Sequence, residues 1–188
     1  MKKVICLLFS VIMIASCCAC QRMDKLDPDE YISEAALTQC TTLLVANQRL
    51  YNEVFVLSHL TTDDDNTFEK DGVTYAPVND SRYSSYSDLV NEIKSIYTEE
   101  LAEDILDKYN YYKEIDGVFC FDTSCEEKIK EGRKWEYSNK NEIELEGKDG
   151  DSYTLEFYFV CGKRDCRQEF DFIKTDSGYK LTEFKSAR

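Results

Sequence analysis

The hydrophobic period of this chain changes once along its length, and that change limits the folds open to it. From Ile32 to Tyr109 apolar residues recur mostly three and four apart, and after Asp116-Gly117 they alternate. A period near 3.6 lays one apolar stripe along a helix, whereas a period of two lays one apolar face on a strand. Val118 to Phe121 reads as a strand, Trp135 and Tyr137 alternate, and so do Ile143 and Leu145. Tyr153, Leu155, Phe157 and Phe159 give a clean strand face, Phe170 and Phe172 another, and Tyr179, Leu181 and Phe184 a last one. Gly132, Gly147, Asp149-Gly150 and Ser177-Gly178 punctuate them as turns. Helices first and consecutive strands after predict an α+β domain over 29–188, with N-terminal helices packed on one face of a curved antiparallel sheet.

Three helices are expected. Ile32, Ala36, Cys40, Leu43, Leu44, Leu50 and Val54 predict a long first helix within 29–57. Ser85 with Asp88 three places on matches a capping box ahead of the stripe Tyr86, Leu89, Val90, Ile93, Ile96 and Tyr97. Thr98 can cap a third helix, with Glu99 and Glu100 where the helix dipole favours acids and Leu101, Ala102, Ile105, Leu106 and Tyr109 on the buried face. Between the first two helices, 61–82 breaks the pattern with Asp63-Asp64-Asp65-Asn66, Asp71-Gly72 and Pro77. It reads as a loop holding one short hairpin around Gly72-Val73-Thr74-Tyr75.

Two cysteine pairs share one spacing. Cys161 and Cys166 join two strands, and a register with 161 facing 166 sets Phe157 opposite Phe170 and Leu155 opposite Phe172. Cysteines directly opposed on neighbouring strands have the short separation a disulfide needs. Cys120 and Cys125 have the same spacing, with a turn through Asp122 to Ser124. Disulfides Cys120–Cys125 and Cys161–Cys166 are therefore expected, each contributing under about 3 kcal/mol because it closes a short loop. Cross-pairing between the two loops is the rival arrangement. A four-thiolate zinc site would place four residues between ligands, the edge of the usual spacing, and no metal is expected. Cys40 sits on the apolar stripe of the first helix, as a buried thiol or as a partner of Cys18 or Cys20.

The N-terminus carries an address. Met1-Lys2-Lys3 precedes the apolar run Val4 to Ala15, too short to span a bilayer, which needs about 20 residues. The run ends in Ile14-Ala15-Ser16-Cys17, which resembles the lipobox of bacterial lipoproteins. The resemblance implies a signal peptide over 1–16, cleavage before Cys17, lipidation of Cys17, and a tether over 17–28. The chain would then be anchored at the extracytoplasmic face of a membrane. Several acyl chains on one cysteine would hold it stably, where a single chain binds only reversibly. In such a compartment the cysteine pairs should oxidise.

Charge narrows the partners. The formal net charge is −14, and cleavage before Cys17 would remove Lys2 and Lys3 but no acid. Such a surface disfavours nucleic acid and anionic membrane faces. An aromatic content of 13% with only two prolines argues against a disordered chain. His59 is the only histidine and Cys40 lies several helical turns before it, so a cysteine–histidine nucleophile is not expected. Asp63-Asp64-Asp65-Asn66 lacks the spacing and closing glutamate of an EF-hand. No phosphate loop or serine elbow is present, so the chain reads as non-enzymatic and without cofactor.

The order of a long helix, then Gly72-Val73-Thr74-Tyr75-Ala76-Pro77-Val78, Tyr83-Ser84-Ser85-Tyr86-Ser87-Asp88-Leu89, Ile96-Tyr97-Thr98-Glu99-Glu100-Leu101-Ala102 and Asp116-Gly117-Val118-Phe119 resembles the DL-endopeptidase inhibitor (IseA-like) family over most of 50–184. The resemblance implies a cystatin-like or nuclear-transport-factor-like α+β fold, and inhibition of a secreted cell-wall hydrolase by blocking its catalytic cleft. It assigns no contact residue. The contact expected here is Asp63, Asp64 and Asp65, since a polyanion can enter a cleft built for anionic wall polymer. The alternative is a ligand-binding lipoprotein with an apolar pocket of Tyr and Phe between helices and sheet.

Overall fold

The first helix begins where Ser33 can cap it. Ser33 Oγ accepts the Ala36 amide at 3.2 Å, satisfying one of the free amides of the first turn. Helix α1 (Glu34–Arg49) buries Ala36, Cys40, Leu43, Leu44 and Asn47, the expected three-and-four spacing. The coil then widens into a π-helical segment, Leu50–Phe55, in which Val56 N–H donates five residues back to Tyr51 O. The helical run is thus 34–55, shorter at both ends than 29–57. The computed structural model describes residues 32–138 and 143–187. The expected signal peptide 1–16, the tether 17–28, and Cys17, Cys18 and Cys20 lie outside the described residues.

Helix α2 (Tyr86–Ile96) has both bonds of its capping box, Ser85 Oγ to Asp88 N–H and Asp88 carboxylate to Ser85 N–H. Leu89, Ile93 and Ile96 are its buried stripe. Helix α3 (Glu99–Lys108) buries Ala102 and Ile105. Thr98 precedes it, but its side chain makes no capping bond, and its N–H instead donates to Leu181 O at 3.1 Å.

The strands form two antiparallel sheets where one was expected. The first has the order β1-β2-β4-β3, from Phe68–Lys70, Val73–Pro77, Val118–Asp122 and Tyr112–Ile115. Its hairpins close through Asp71-Gly72 and Asp116-Gly117, with all four residues at positive φ. That is the type I′ turn for which Asp-Gly is the strongest local signal. The second sheet, curled, is β5-β7-β8-β9, from Trp135–Tyr137, Ser152–Cys161, Arg164–Thr175 and Gly178–Leu181. β6 (Glu144–Asp149) pairs with the same edge of β7 as β5, further along, with a bulge between Leu145 and Gly147. Ser33–Arg188 form one compact α+β unit.

The β7–β8 register is two residues tighter than expected. Cys161 faces Arg164, Phe159 faces Cys166, Phe157 faces Gln168 and Leu155 faces Phe170. The cause is the turn: Gly162 stands at φ 70°, so Gly162-Lys163 closes the hairpin with two residues. A shift of two keeps every side chain on its face. Leu155, Phe157, Phe159, Phe170 and Phe172 therefore remain together, all fully buried under α1 with Trp135 and Leu181. The last strand stops at Leu181, and Phe184 lies beyond it among the rings of Tyr51, Phe55, Tyr97 and Tyr109.

Buried polar groups tie this core to the chain end. Tyr97 hydroxyl donates to Asn47 Oδ1 at 2.9 Å, and Asn47 Nδ2 donates to Lys185 O at 3.0 Å. The first sheet docks on the end of the π segment. There Tyr112 hydroxyl donates to Val54 O at 2.7 Å and accepts from Leu60 N–H at 2.9 Å.

Candidate functional site: an acidic turn and its setting

Asp63, Asp64 and Asp65 fold into a fixed turn. Asp63 N–H donates to Pro77 O at 2.8 Å, and Thr62 bridges to Val78, so the turn is sewn to the end of β2. Asp64–Asn66 make one 3₁₀ turn. Within it Thr62 hydroxyl donates to Asp64 Oδ1 at 2.7 Å and Asn66 Nδ2 donates to Asp63 Oδ2 at 2.8 Å. Asp63 is half-buried, while Asp64 and Asp65 are exposed. The three expected contact residues are therefore together, two of them at the surface. Each internal bond leaves carboxylate lone pairs free for an outside donor.

Beside the turn lies a cleft of about 550 Å³ walled by Thr61, Val78, Asn79, Asp80 and Arg82. Arg82 is committed: Nη2 pairs with Asp80 at 2.8 Å and Nη1 with Glu53 at 2.6 Å. Asp80 also accepts Arg82 Nε and N–H. These bonds hold the Asp80 carboxyl down at about 2 and push the guanidinium upward. Tyr83 hydroxyl donates to Glu92 at 2.6 Å, and Arg49 pairs with the same carboxylate. The loop 79–84 is thereby locked to α1 and α2, and the turn sits on a rigid base.

The cysteines divide. Cys161 and Cys166 form a disulfide across a Cα–Cα distance of 6.6 Å, joined diagonally because of the tighter register. The expected Cys120–Cys125 bond is absent, and both are free, buried thiols. Cys120 lies inside the central strand β4, between Pro77 and Lys113 of its neighbours. Asp122 then accepts Ser124 N–H at 3.1 Å and caps a 3₁₀ helix, Thr123–Lys128, that carries Cys125. A helical turn, not a returning strand, follows Cys120, so the opposed geometry never forms. Cys125 Sγ accepts from Lys128 Nζ at 3.4 Å. Cys40 is also free, and burial pushes its thiol up to about 12, so it stays protonated at neutral pH. His59 stacks on Phe121 at 4.5 Å and its Nδ1 donates to Leu60 O. Both groups thus serve packing.

Of the strand Tyr and Phe residues expected to line the pocket of the alternative reading, Phe157, Phe159, Phe170 and Phe172 are fully buried, while Tyr137 and Tyr179 are half-buried. Two features escaped the sequence. Glu144, Glu146 and Glu156 bring carboxylate oxygens within 4.8 Å of one another through the β6–β7 pairing. A second cleft gathers lysines from three distant segments. No periodic or spaced signal marks either, since both depend on which strands and loops meet. No family model and no curated protein matches the chain.

Proposed function

We propose that this chain is a lipid-anchored, extracytoplasmic, non-enzymatic protein that binds and inhibits a cell-wall hydrolase of the DL-endopeptidase type. The observation that supports the reading is the acidic turn at 63–65, preorganised by its own hydrogen bonds and presented with two exposed carboxylates. A rigid turn loses little conformational freedom on docking. Its charge is complementary to a cleft that handles anionic wall polymer, and so accelerates encounter. The anchor at Cys17 would confine the protein to the surface where such enzymes work.

The test is association kinetics with a purified secreted DL-endopeptidase. Replacing Asp63, Asp64 and Asp65 by serine should slow association about tenfold at low salt and much less at high salt, since steering is screened. An unchanged rate removes the turn from the account.

A further inference from the structure

We propose that the cleft between the π segment, the end of α3 and the C-terminal segment binds a small anion carrying a flat apolar body, such as a ring bearing a phosphate or carboxylate. The cleft holds about 520 Å³, and its walls include Tyr51, Lys108, Tyr109, Lys130, Phe184 and Lys185. Three lysines and no carboxylate line it, in a chain of 37 acidic and 23 basic residues. The neighbouring hollow, which shares Lys108, Tyr109 and Phe184, is lined by one acid, Asp104, and Glu183 already pairs with Lys185. Lys185 is thus neutralised, with its ammonium 5.0 Å from the Phe170 ring centre.

Lys108 and Lys130 are different. Among the described residues neither pairs with a carboxylate. Lys108 rests 5.1 Å over the Tyr109 ring, and Lys130 is anchored by its N–H to Val56 O at 2.7 Å. Two lysines without a carboxylate partner lining one hollow repel each other and are relieved by an anion between them. The remaining wall is aromatic: Phe184 lies 5.6 Å from both Tyr51 and Tyr109, and all three are only half-buried. Such ring faces accept a flat apolar group, while the lysines supply charge-assisted hydrogen bonds. This site is separate from the acidic turn and does not rest on the hydrolase reading.

The sole tryptophan, Trp135, lies 6.4 Å from the Tyr51 ring and gives an internal reporter. Phenyl phosphate and phenylacetate would be titrated into the full chain, with benzyl alcohol as the neutral control, by tryptophan fluorescence and ligand-detected NMR. At least one anion should bind, about tenfold or more tighter than benzyl alcohol, and which one binds identifies the headgroup. The exposed-site variant K108Q/K130Q should keep its melting temperature and lower the anion affinity to that of the neutral ring. Failure of both anions to bind, equal binding of the neutral ring, or undiminished binding by the variant would overturn the proposal.

Discussion

Tyr97→Phe removes one oxygen from the middle of the molecule, and its cost can be worked from the hydrogen bonds it breaks. Tyr97 is 1% exposed and Asn47 0%. The lost hydroxyl leaves Asn47 Oδ1 buried with no other donor among the described residues. A typical hydrogen bond contributes about 1 kcal/mol net, but a stranded buried acceptor raises the loss to about 2 kcal/mol. For a domain of this size that corresponds to a fall in Tm of about 4–8 °C. The pairing can be isolated with Asn47→Leu and the double variant. Residues in one hydrogen-bond network couple, so the double loss should fall short of the sum by about 1 kcal/mol. Urea unfolding, followed by far-UV circular dichroism, reads all four proteins at constant m-value. Asn47 also holds Lys185 O, so its removal should free the C-terminal segment that carries Phe184. A Tyr97→Phe protein as stable as the parent, or strictly additive losses, would refute the reasoning.

Further outcomes follow from the same contacts. Peptide mapping of the denatured, unreduced chain should find Cys40, Cys120 and Cys125 alkylated and Cys161 and Cys166 protected; protection of Cys120 and Cys125 as a pair would contradict the helical turn after Asp122. Replacing Cys161 and Cys166 by serine should cost no more than about 2 kcal/mol in urea, because the closed loop is short and its register is already set by the Gly162 turn. Asp80 is held at about 2 in the folded state, below the usual value of about 3.9, so its stabilising effect is complete above pH ~4 and is lost as pH falls through ~2. The stability gap between the parent and Asp80→Asn should accordingly narrow over that window, and a gap that widens on acidification would reverse the sign.

How much could be read in the sequence depended on the range of the forces involved. Local signals were legible: the Ser85–Asp88 capping box, the short hairpin at Gly72, and the alternation at Leu155, Phe157 and Phe159 all stand as expected. The strand β3 escapes a sequence reading because Tyr112 and Ile115 stand three apart, with Lys113 and Glu114 between them, and so continue the helical period of the stripe before them. Only pairing with β4 and the Tyr112 hydroxyl bonds make it a strand. The second sheet, the two-residue slip at β7–β8 and the lysine cleft likewise depend on contacts remote in sequence. Phe184 was assigned to a strand by its period, yet the strand stops at Leu181 and the ring fills a gap among four others. The acidic turn was visible as a run of charge, while its rigidity came from Pro77, Thr62 and Asn66.

The most direct test of the central claim is peptidoglycan hydrolysis by a purified secreted DL-endopeptidase, titrated with this protein and with its Asp63→Ser, Asp64→Ser, Asp65→Ser variant. The account predicts that the parent suppresses hydrolysis in a saturable way and that the variant needs a higher concentration to do so. Full hydrolysis at saturating parent protein would contradict it.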